Sequence, residues 1–180
     1  MMKTAIQDGD NLVASILDWV DVQSTYMKFE LEKMSVDDLI DDAIHHKQMN
    51  ATLKKIKIEK YFEEGLMMHM DCRMMETIKR NLICNSIKFS HREDNIKISG
   101  KVADSDVVIS VTDQGIGRTE EIKNELFKFG KIPPRLGTEN ESGSGFGLNI
   151  CKKMVENQNG QLEIISQPDK GTTVVMHFLA

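Results

Sequence analysis

Two neighbouring segments in the middle of the chain constrain its fold more than any other feature. Residues 95–102 (NIKISGKV) and 106–113 (DVVISVTD) alternate apolar and polar side chains, and only three residues separate them. This pattern predicts an antiparallel pair of strands with one face against the core. In the second strand, the side chains that share the inward face are those of Val107, Ile109, Val111 and Asp113. The pair therefore brings a carboxylate to the edge of the core.

Asp113 opens the stretch DQGIG, which continues through Gly115, Ile116 and Gly117. A buried carboxylate without a hydrogen-bond donor is costly, and the amino group of a ligand would supply that donor. Two glycines let a flat molecule approach the backbone closely. An aspartate in a tight turn after a strand has the same pattern. Taken alone, the stretch leaves a ligand site and a simple turn as alternatives.

Hydrophobic periodicity predicts the remaining elements. Apolar residues at three- and four-residue spacing predict helices at about 11–29, after the capping residue Ser35, at 72–89 and at 146–157. Further strands are predicted at 56–62, 66–70, 161–167 and 172–178. This order predicts an α+β fold, a two-layer sandwich of a mixed β-sheet and about three α-helices, preceded by one N-terminal helix.

The composition excludes several classes of function. The net charge of -5 argues against a surface that coats nucleic acid. No apolar run approaches the ~18–20 residues needed to span a membrane. The three cysteines have no spacing typical of pairing or of a metal site, which fits a reducing compartment. We therefore expect no nucleic-acid partner and no membrane contact by this segment.

Polar side chains form one edge of the helix predicted at 72–89. Asn81, Asn85 and Lys88 follow each other at i, i+4 and i+7, which places them within about 60° of arc. An amide oxygen can bind Mg²⁺, and an ammonium group can bind a phosphate oxygen. A solvated helix edge with nothing bound has the same pattern, so both interpretations stay open.

Glycine and proline are concentrated in one part of the chain. Seven of the 12 glycines and two of the three prolines lie between residues 115 and 147, which predicts one long loop of the lid or binding type. The loop ends in GSGFGLNI (143–150), where alternating glycines precede a helix and offer backbone N–H groups to an anion. Alone this is a weak signal, and it lacks the features of a Rossmann fingerprint and of a P-loop.

The order and spacing of these stretches resemble the GHKL ATPase superfamily, and most closely the ATP-binding catalytic domain of sensor histidine kinases. NLICNSIKFS resembles the N box, DQGIG the G1 box, LFKF (126–129) a short F box and GSGFGLNI the G2 box. The resemblance covers about residues 36–180 and implies the Bergerat fold. It implies an ATP-binding catalytic domain at 34–180 with a lid at about 118–142. Residues 1–33 would be the C-terminal part of the second dimerisation helix and its linker.

The resemblance implies ATP and Mg²⁺ as cofactors and assigns roles to single residues. Asp113 would accept a hydrogen bond from the adenine amino group, and Phe89 would border the base. Asn85 would be the metal ligand with Asn81 beside it, and Lys88 would contact phosphate. The other residues implied to surround the nucleotide are Gly115, Ile116, Gly117, Arg135 at the γ-phosphate, Gly143, Ser144, Gly145, Phe146, Gly147 and Leu148.

Two departures from the family pattern affect these expectations. The F-box residues Phe127 and Phe129 are two apart, where many members have them three apart. No histidine is followed by an acidic residue on a dimerisation helix, and we interpret His45 and His46 as surface or boundary residues. The γ-phosphoryl group would therefore go to a histidine outside this segment, for relay to a response regulator.

The implied partners are the dimerisation and phosphoacceptor domain of the same kinase and the receiver domain of a response regulator. The full-length protein would be a homodimer in the cytoplasm, or the cytoplasmic part of a membrane-bound sensor. An alternative is a GHKL module that binds ATP for regulation or as a scaffold, without phosphotransfer. An ATP-hydrolysing type is disfavoured, because it needs a general-base glutamate on the N-box helix, where Glu76 lies more than a turn before Asn81.

Overall fold

The computed structural model describes residues 30–126, 135–143 and 145–179. The helix predicted at 11–29, the two F-box phenylalanines and Ser144 lie outside these ranges. In chain order the elements are β1 (Leu31–Ser35), α1 (Val36–Leu53), β2 (Lys57–Phe62), β3 (Met67–Asp71), α2 (Cys72–Phe89), β4 (Asn95–Ala103), β5 (Asp106–Asp113), α3 (Glu120–Glu125), α4 (Gly147–Asn157), β6 (Gln161–Ser166) and β7 (Thr172–Leu179).

The strands form a five-stranded mixed sheet in the order β2-β4-β5-β7-β6. β2 runs parallel to β4, and the other neighbouring pairs are antiparallel. On one face of this sheet α1 packs against β2, α2 against β5 and α4 against β6, while α2 also contacts α1 and α4. The predicted α+β sandwich of a mixed sheet and helices is confirmed.

Alternation in β4 and β5 determines which side chains enter the core. Ile96, Ile98, Ile109 and Val111 are buried between the sheet and the helices, as the sequence pattern predicts. Each fully buried side chain of this type contributes about 1.5–3 kcal/mol relative to exposure. A one-residue slip of β5 would move Asp113 and the buried side chains of that strand to the opposite face, so burial fixes the register at the end of β5.

Two elements were not predicted. β1 pairs antiparallel with β3, from Leu31 opposite Asp71 to Ser35 opposite Met67, in a segment that we had expected to begin as linker. Its LEKMS sequence has no apolar alternation, so it carries no strand signal. Helix α3 lies within the lid, which was predicted as loop only, and it begins after Thr119, whose hydroxyl accepts from Ile122 N. Six residues are too few to show helical periodicity.

The predicted boundaries of α2 agree with the structure at both ends. Asp71 caps its first turn by accepting a hydrogen bond from Met74 N at 3.2 Å, and the helix ends at Phe89. Within the described ranges, no helix is both long and apolar enough to cross a membrane.

Candidate functional site

Asp113 lies at the end of β5 with 7% of its surface exposed. Its Oδ1 atom accepts hydrogen bonds from Gly115 N and Thr172 N, both at 3.0 Å. Part of the carboxylate is therefore satisfied by the turn, as the simpler of the two interpretations expects. Neither of these two hydrogen bonds uses Oδ2. Asp113 also lines a small cavity. Oδ2 is the atom that a ligand's donor would use.

Burial raises the pKa of Asp113 from its ordinary value of 3.8 to about 6. The N–H groups of Gly115 and Thr172, and the charge of Arg118, lower this pKa without offsetting the burial. At neutral pH the group is an ionised acceptor in a largely buried position. Such a carboxylate favours a ligand that donates a hydrogen bond over one that presents an acceptor.

The two glycines of the G1 stretch are required by the protein's own backbone. A Cβ atom on Gly115 would overlap the carbonyl oxygen of Phe89, and Ile116 N donates to that same oxygen at 3.1 Å. Gly117 has φ +57°, and its Cβ would overlap the carbonyl oxygen of Gln167. We expected glycines here to make room for a ligand, but their nearest neighbours are these two carbonyl groups. The packing locks the end of β5 to the end of α2.

The polar edge of α2 faces the start of α4, as the order of the boxes implies. Asn81 Nδ2 donates to Thr77 O at 2.9 Å, and Asn81 Oδ1 lies 3.0 Å from the position that a Cβ on Gly147 would take. Asn85 Nδ2 lies 3.7 Å from the same position. Two amide side chains therefore face the first turn of α4, whose backbone N–H groups are available to an anion.

Lys88 connects this edge to the lid. Its ammonium lies 2.6 Å from the position of a Cβ on Gly143 and donates to Arg135 O at 2.8 Å. It also lies 4.9 Å from the centre of the Phe89 ring. The fold thus brings the N-box lysine, the G2 glycines and Arg135 together, although some 50 residues separate them in sequence.

These groups border a cleft of about 810 Å³. Asn81, Asn85 and Lys88 line one side of it, and Gly143, Gly145 and Gly147 line the other. A second cavity of about 20 Å³ lies beside Asp113. The side chains that line both spaces are those of Asn85, Phe89, Arg118, Arg135 and Leu148. The large cleft and the Asp113 cavity are therefore neighbours within one site.

Arg118 is a site residue that the sequence analysis missed. It is 8% exposed, and its guanidinium lies 5.3 Å from the centre of the Phe89 ring. Its Nε atom is buried without a hydrogen-bond partner among the described residues. Burial and the charge of Arg135 lower the pKa of Arg118 to about 10, against the opposite influence of Asp113. An arginine directly after DQGIG carries no pattern that predicts such burial.

The small cavity has room for about one water molecule. A planar ring needs more room than this cavity has, and Arg118 and Arg135 both line it and lie near the Phe89 ring. Leu148, in the first turn of α4, is buried and provides an apolar wall. Phe146 immediately precedes α4 and packs partly buried against the core.

The residues fit a magnesium ion only in part. Among the described residues, no group of three or more His, Cys, Asp or Glu side chains could hold a metal. Mg²⁺ usually keeps several waters and takes one or two protein ligands together with substrate phosphates. Asn85, which lines both the cleft and the Asp113 cavity, would supply one such ligand through its amide oxygen.

Comparison with known proteins finds a matching family and similar curated proteins. Residues 70–180 match the family described as histidine kinase-, DNA gyrase B-, and HSP90-like ATPase. The cell-division control histidine kinase PdhS of Brucella canis is 30% identical over 177 residues, which cover 93% of this chain and 17% of that protein. The chain spans between 14% and 43% of the length of such curated relatives.

Solved structures confirm the fold. Acinetobacter baumannii histidine kinase AdeS has a TM-score of 0.77 at 18% identity, over 93% of this chain and 76% of that one. Histidine kinase ThkA in complex with response regulator protein TrrA has a TM-score of 0.77 at 20% identity, over 98% of this chain and 48% of that one. At these identities the similarity establishes the fold alone.

Proposed function

We propose that this chain, which belongs to the family of histidine kinase-, DNA gyrase B- and HSP90-like ATPases, binds ATP together with Mg²⁺ as the catalytic domain of a protein-histidine kinase. Membership of the family implies ATP binding. The observation that carries the proposal is the pairing of two features in one site. A buried, ionisable acceptor at Asp113 adjoins a cleft lined by amides, an ammonium group and glycine N–H groups.

The base would bind at Asp113. Adenine presents its N6 amino group as a donor, whereas guanine presents an O6 acceptor at the corresponding position. A carboxylate therefore favours adenine and repels guanine. Phe89 and Leu148 would border the ring, with Gly115, Ile116 and Gly117 holding the turn beneath it. Arg118 would have to leave its present place against Phe89 for the base to enter.

The triphosphate would lie in the large cleft. Lys88 supplies a positive charge there, and the segment from Gly143 to Gly147, with Ser144 and Phe146, would supply backbone N–H groups at the start of α4. Asn85 would hold Mg²⁺ through its amide oxygen, with Asn81 beside it, and the metal would neutralise charge on the phosphates. Arg135, whose guanidinium donates to Gly117 O at 3.1 Å beside Phe89, would have to move from the base end of the site to reach the γ-phosphate.

Phosphoryl transfer from ATP to a histidine does not require a covalent bond to the catalytic domain itself. Phosphoryl transfer depends mainly on positioning and on charge stabilisation. In this chain Lys88 and Arg135 would neutralise phosphate charge, while Asp113 and the backbone turn that holds it would fix the nucleotide at its other end. The acceptor histidine would belong to another part of the full-length protein.

The expected partners are those that a separate ATP-binding domain and acceptor histidine require. We propose that the full-length protein is a homodimer whose dimerisation domain carries the acceptor histidine, with residues 1–33 leading into the catalytic domain from 34 onward. A response regulator would then receive the phosphoryl group, and ThkA is a structural neighbour that has been solved with such a partner. The cytoplasm is the compartment that supplies ATP to such a kinase.

A crystal structure with a non-hydrolysable ATP analogue and Mg²⁺ tests these assignments together. We expect the adenine amino group within hydrogen-bond distance of Asp113 Oδ2 and the metal on Asn85 Oδ1 at about 2.1 Å. A base bound elsewhere would contradict the adenine assignment. Incubation of the full-length protein with labelled ATP then separates a kinase from a module that binds ATP without transfer, which would leave every histidine unlabelled.

A further inference from the structure

Lys54 directly follows α1 and is 4% exposed, and no motif draws attention to it. Its ammonium lies within hydrogen-bond distance of the carbonyl oxygens of Ile87 at 2.9 Å, Lys88 at 3.1 Å and Ser90 at 3.3 Å. These are carbonyl groups at the C-terminal end of α2, where a positive charge is favourable. One half of the surroundings of Lys54 is therefore the end of the N-box helix.

The other half of its surroundings belongs to the lid. Lys54 Nζ donates to Thr138 Oγ1 at 2.8 Å and forms an ion pair with Glu141 Oε1 at 2.5 Å. Thr138 also reaches the end of α2 itself, because its hydroxyl donates to Ser90 O at 2.6 Å and its N–H donates to Lys88 O at 3.1 Å. One buried ammonium thus joins the end of α2 to a lid segment that lies 84 residues after Lys54 along the chain.

The lid segment from Gly137 to Glu141 is closed on itself. Gly137 N donates to Glu141 O at 2.9 Å, Asn140 N donates to Gly137 O at 3.1 Å, and Glu139 N donates to Glu141 Oε2 at 2.8 Å. The carboxylate of Glu141 therefore binds Lys54 with one oxygen and organises its own turn with the other. We call residues 137–141 the lid arm.

The position of the lid arm matters for the cleft. A Cβ on Gly137 would lie 2.6 Å from Lys88 Cγ, so the arm lies directly against the lysine that borders the cleft. Gly143, two residues beyond the arm, lies against the ammonium of the same lysine. Movement of the arm would therefore disturb the contact between Gly143 and Lys88.

Electrostatics favour a persistent contact. The side chains of Lys54 and Glu141 are 5% and 35% exposed. Removal of one partner from a buried ion pair leaves an uncompensated charge, which is strongly unfavourable. Burial raises the pKa of Glu141, but the hydrogen bonds from Lys54 and from backbone N–H groups outweigh this effect and hold that pKa below its ordinary value.

We propose that Lys54 is a positioning residue that anchors the lid arm, through Thr138 and Glu141, to the end of α2 before any nucleotide arrives. The anchored arm holds the G2 glycines over the phosphate side of the cleft, so nucleotide binding does not have to order them. Its effect on ATP rests on the proposed function, whereas the anchor itself belongs to the nucleotide-free protein.

Amide hydrogen exchange of the nucleotide-free chain tests the anchor. In Glu141→Ala we expect peptides that cover the lid arm to exchange about tenfold faster than in the wild type, because local opening no longer breaks a partly buried ion pair. Glu139→Ala is the matched control, since Glu139 lies two residues away and pairs with Arg92 at the exposed surface. Equal exchange in Glu141→Ala and the wild type would overturn the proposal.

Further variants separate anchoring from general destabilisation. Lys54→Met uncaps α2 as well as freeing the arm, so it should lower the unfolding temperature more than Glu141→Ala, in which the ammonium keeps its carbonyl acceptors. Glu141→Gln keeps a hydrogen-bond acceptor without the charge, and its lid arm should exchange at an intermediate rate. Full exchange of the arm already in the wild type would also contradict the anchor.

Kinetics of the full-length protein extend the test to function. Glu141→Ala should raise the KM for ATP about tenfold and leave kcat within a factor of two, because the disordered arm must be ordered on binding. Glu141→Gln should recover part of that loss. If the wild type fails to bind ATP, the proposed function fails while hydrogen exchange still decides the anchor. If ATP binds and the arm exchanges equally in both proteins, the anchor alone fails.

Discussion

The two ends of the candidate site are built in different ways. At the Asp113 end, the cavity measures about 20 Å³ and its walls are held by backbone hydrogen bonds from Gly115, Ile116 and Thr172. At the other end, a cleft of about 810 Å³ is lined by long charged side chains and by the lid. The shape of the first end is set by the sheet and α2, whereas the shape of the second depends on the position of the lid.

Because of this difference, we expect one end of the site to determine selectivity for the base and the other to contribute affinity for the phosphates. A rigid acceptor surrounded by backbone discriminates between bases, because it cannot rotate to suit a ligand that presents an acceptor in place of a donor. An open cleft with Lys88 and Arg135 would attract the phosphates of any nucleotide, and salt would screen that attraction. We therefore expect base identity to be read at one end and the triphosphate with Mg²⁺ at the other.

The largest effect should come from Asp113→Asn. The asparagine can still accept from Gly115 N and Thr172 N, but it presents an amino group where the carboxylate offered an acceptor to adenine. We expect ATP affinity to fall by about 1–3 kcal/mol, the scale for stranding a buried hydrogen-bonding group. Calorimetric titration measures this change, and unchanged affinity would remove Asp113 from the base site.

Asp113→Asn should weaken ATP binding but make the nucleotide-free protein more stable than the wild type at neutral pH. The difference in stability should depend on pH. A folded-state pKa of about 6 against an ordinary 3.8 means that this group stabilises the fold below about pH 4 and loses that contribution as pH rises through 6. At 1.36 kcal/mol per pKa unit, the loss is roughly 3 kcal/mol. We expect denaturant unfolding of the nucleotide-free wild type to lose up to this amount relative to Asp113→Asn between pH 4 and pH 7.5. Parallel pH profiles for the two proteins would show that the carboxylate is not desolvated.

Asn85→Ala tests the other end of the site. We expect it to remove the difference between ATP affinities measured with and without Mg²⁺, at a cost of about tenfold in the presence of the metal, or about 1.4 kcal/mol. Asn81→Ala is the comparison variant, because Asn81 lies one turn earlier on the same edge and its Nδ2 is bonded to Thr77 O. Full Mg²⁺ dependence in Asn85→Ala would assign the metal to another residue.

The smallest effect is expected for Arg118→Ala. Entry of a base breaks the stacking of this guanidinium on Phe89, an interaction worth about 0.5–1 kcal/mol. Adenosine, which has no phosphates, should therefore bind about threefold more tightly to the variant than to the wild type. Weaker binding of adenosine to the variant would show that Arg118 supports the base.

Local patterns predicted most of the fold and the burial of Asp113 at the end of β5. Strand alternation placed Asp113 on the buried face, and helical spacing set α2 from Cys72 to Phe89 and put Asn81 and Asn85 on one edge. These features were predictable because they depend on residues within a few positions of each other. Their agreement with the family pattern gave the expected roles.

Features that depend on distant partners were not predictable. In the sequence, Lys54 is an ordinary lysine at the end of an amphipathic helix. Its contacts with Thr138 and Glu141 exist only in the folded protein. Arg118 reads as a loop residue, and only packing against Phe89 makes it buried. The glycines of DQGIG were recognised for their lack of a side chain, but the groups that require this are the carbonyls of Phe89 and Gln167.

One titration tests the central claim most directly. ATP and GTP would each be titrated calorimetrically into the chain, with and without Mg²⁺. A site that reads adenine at Asp113 and the metal at Asn85 predicts micromolar-range binding of ATP that Mg²⁺ strengthens, and binding of GTP at least tenfold weaker, or about 1.4 kcal/mol. Equal affinity for the two nucleotides, or no binding of either by the folded protein, would contradict it.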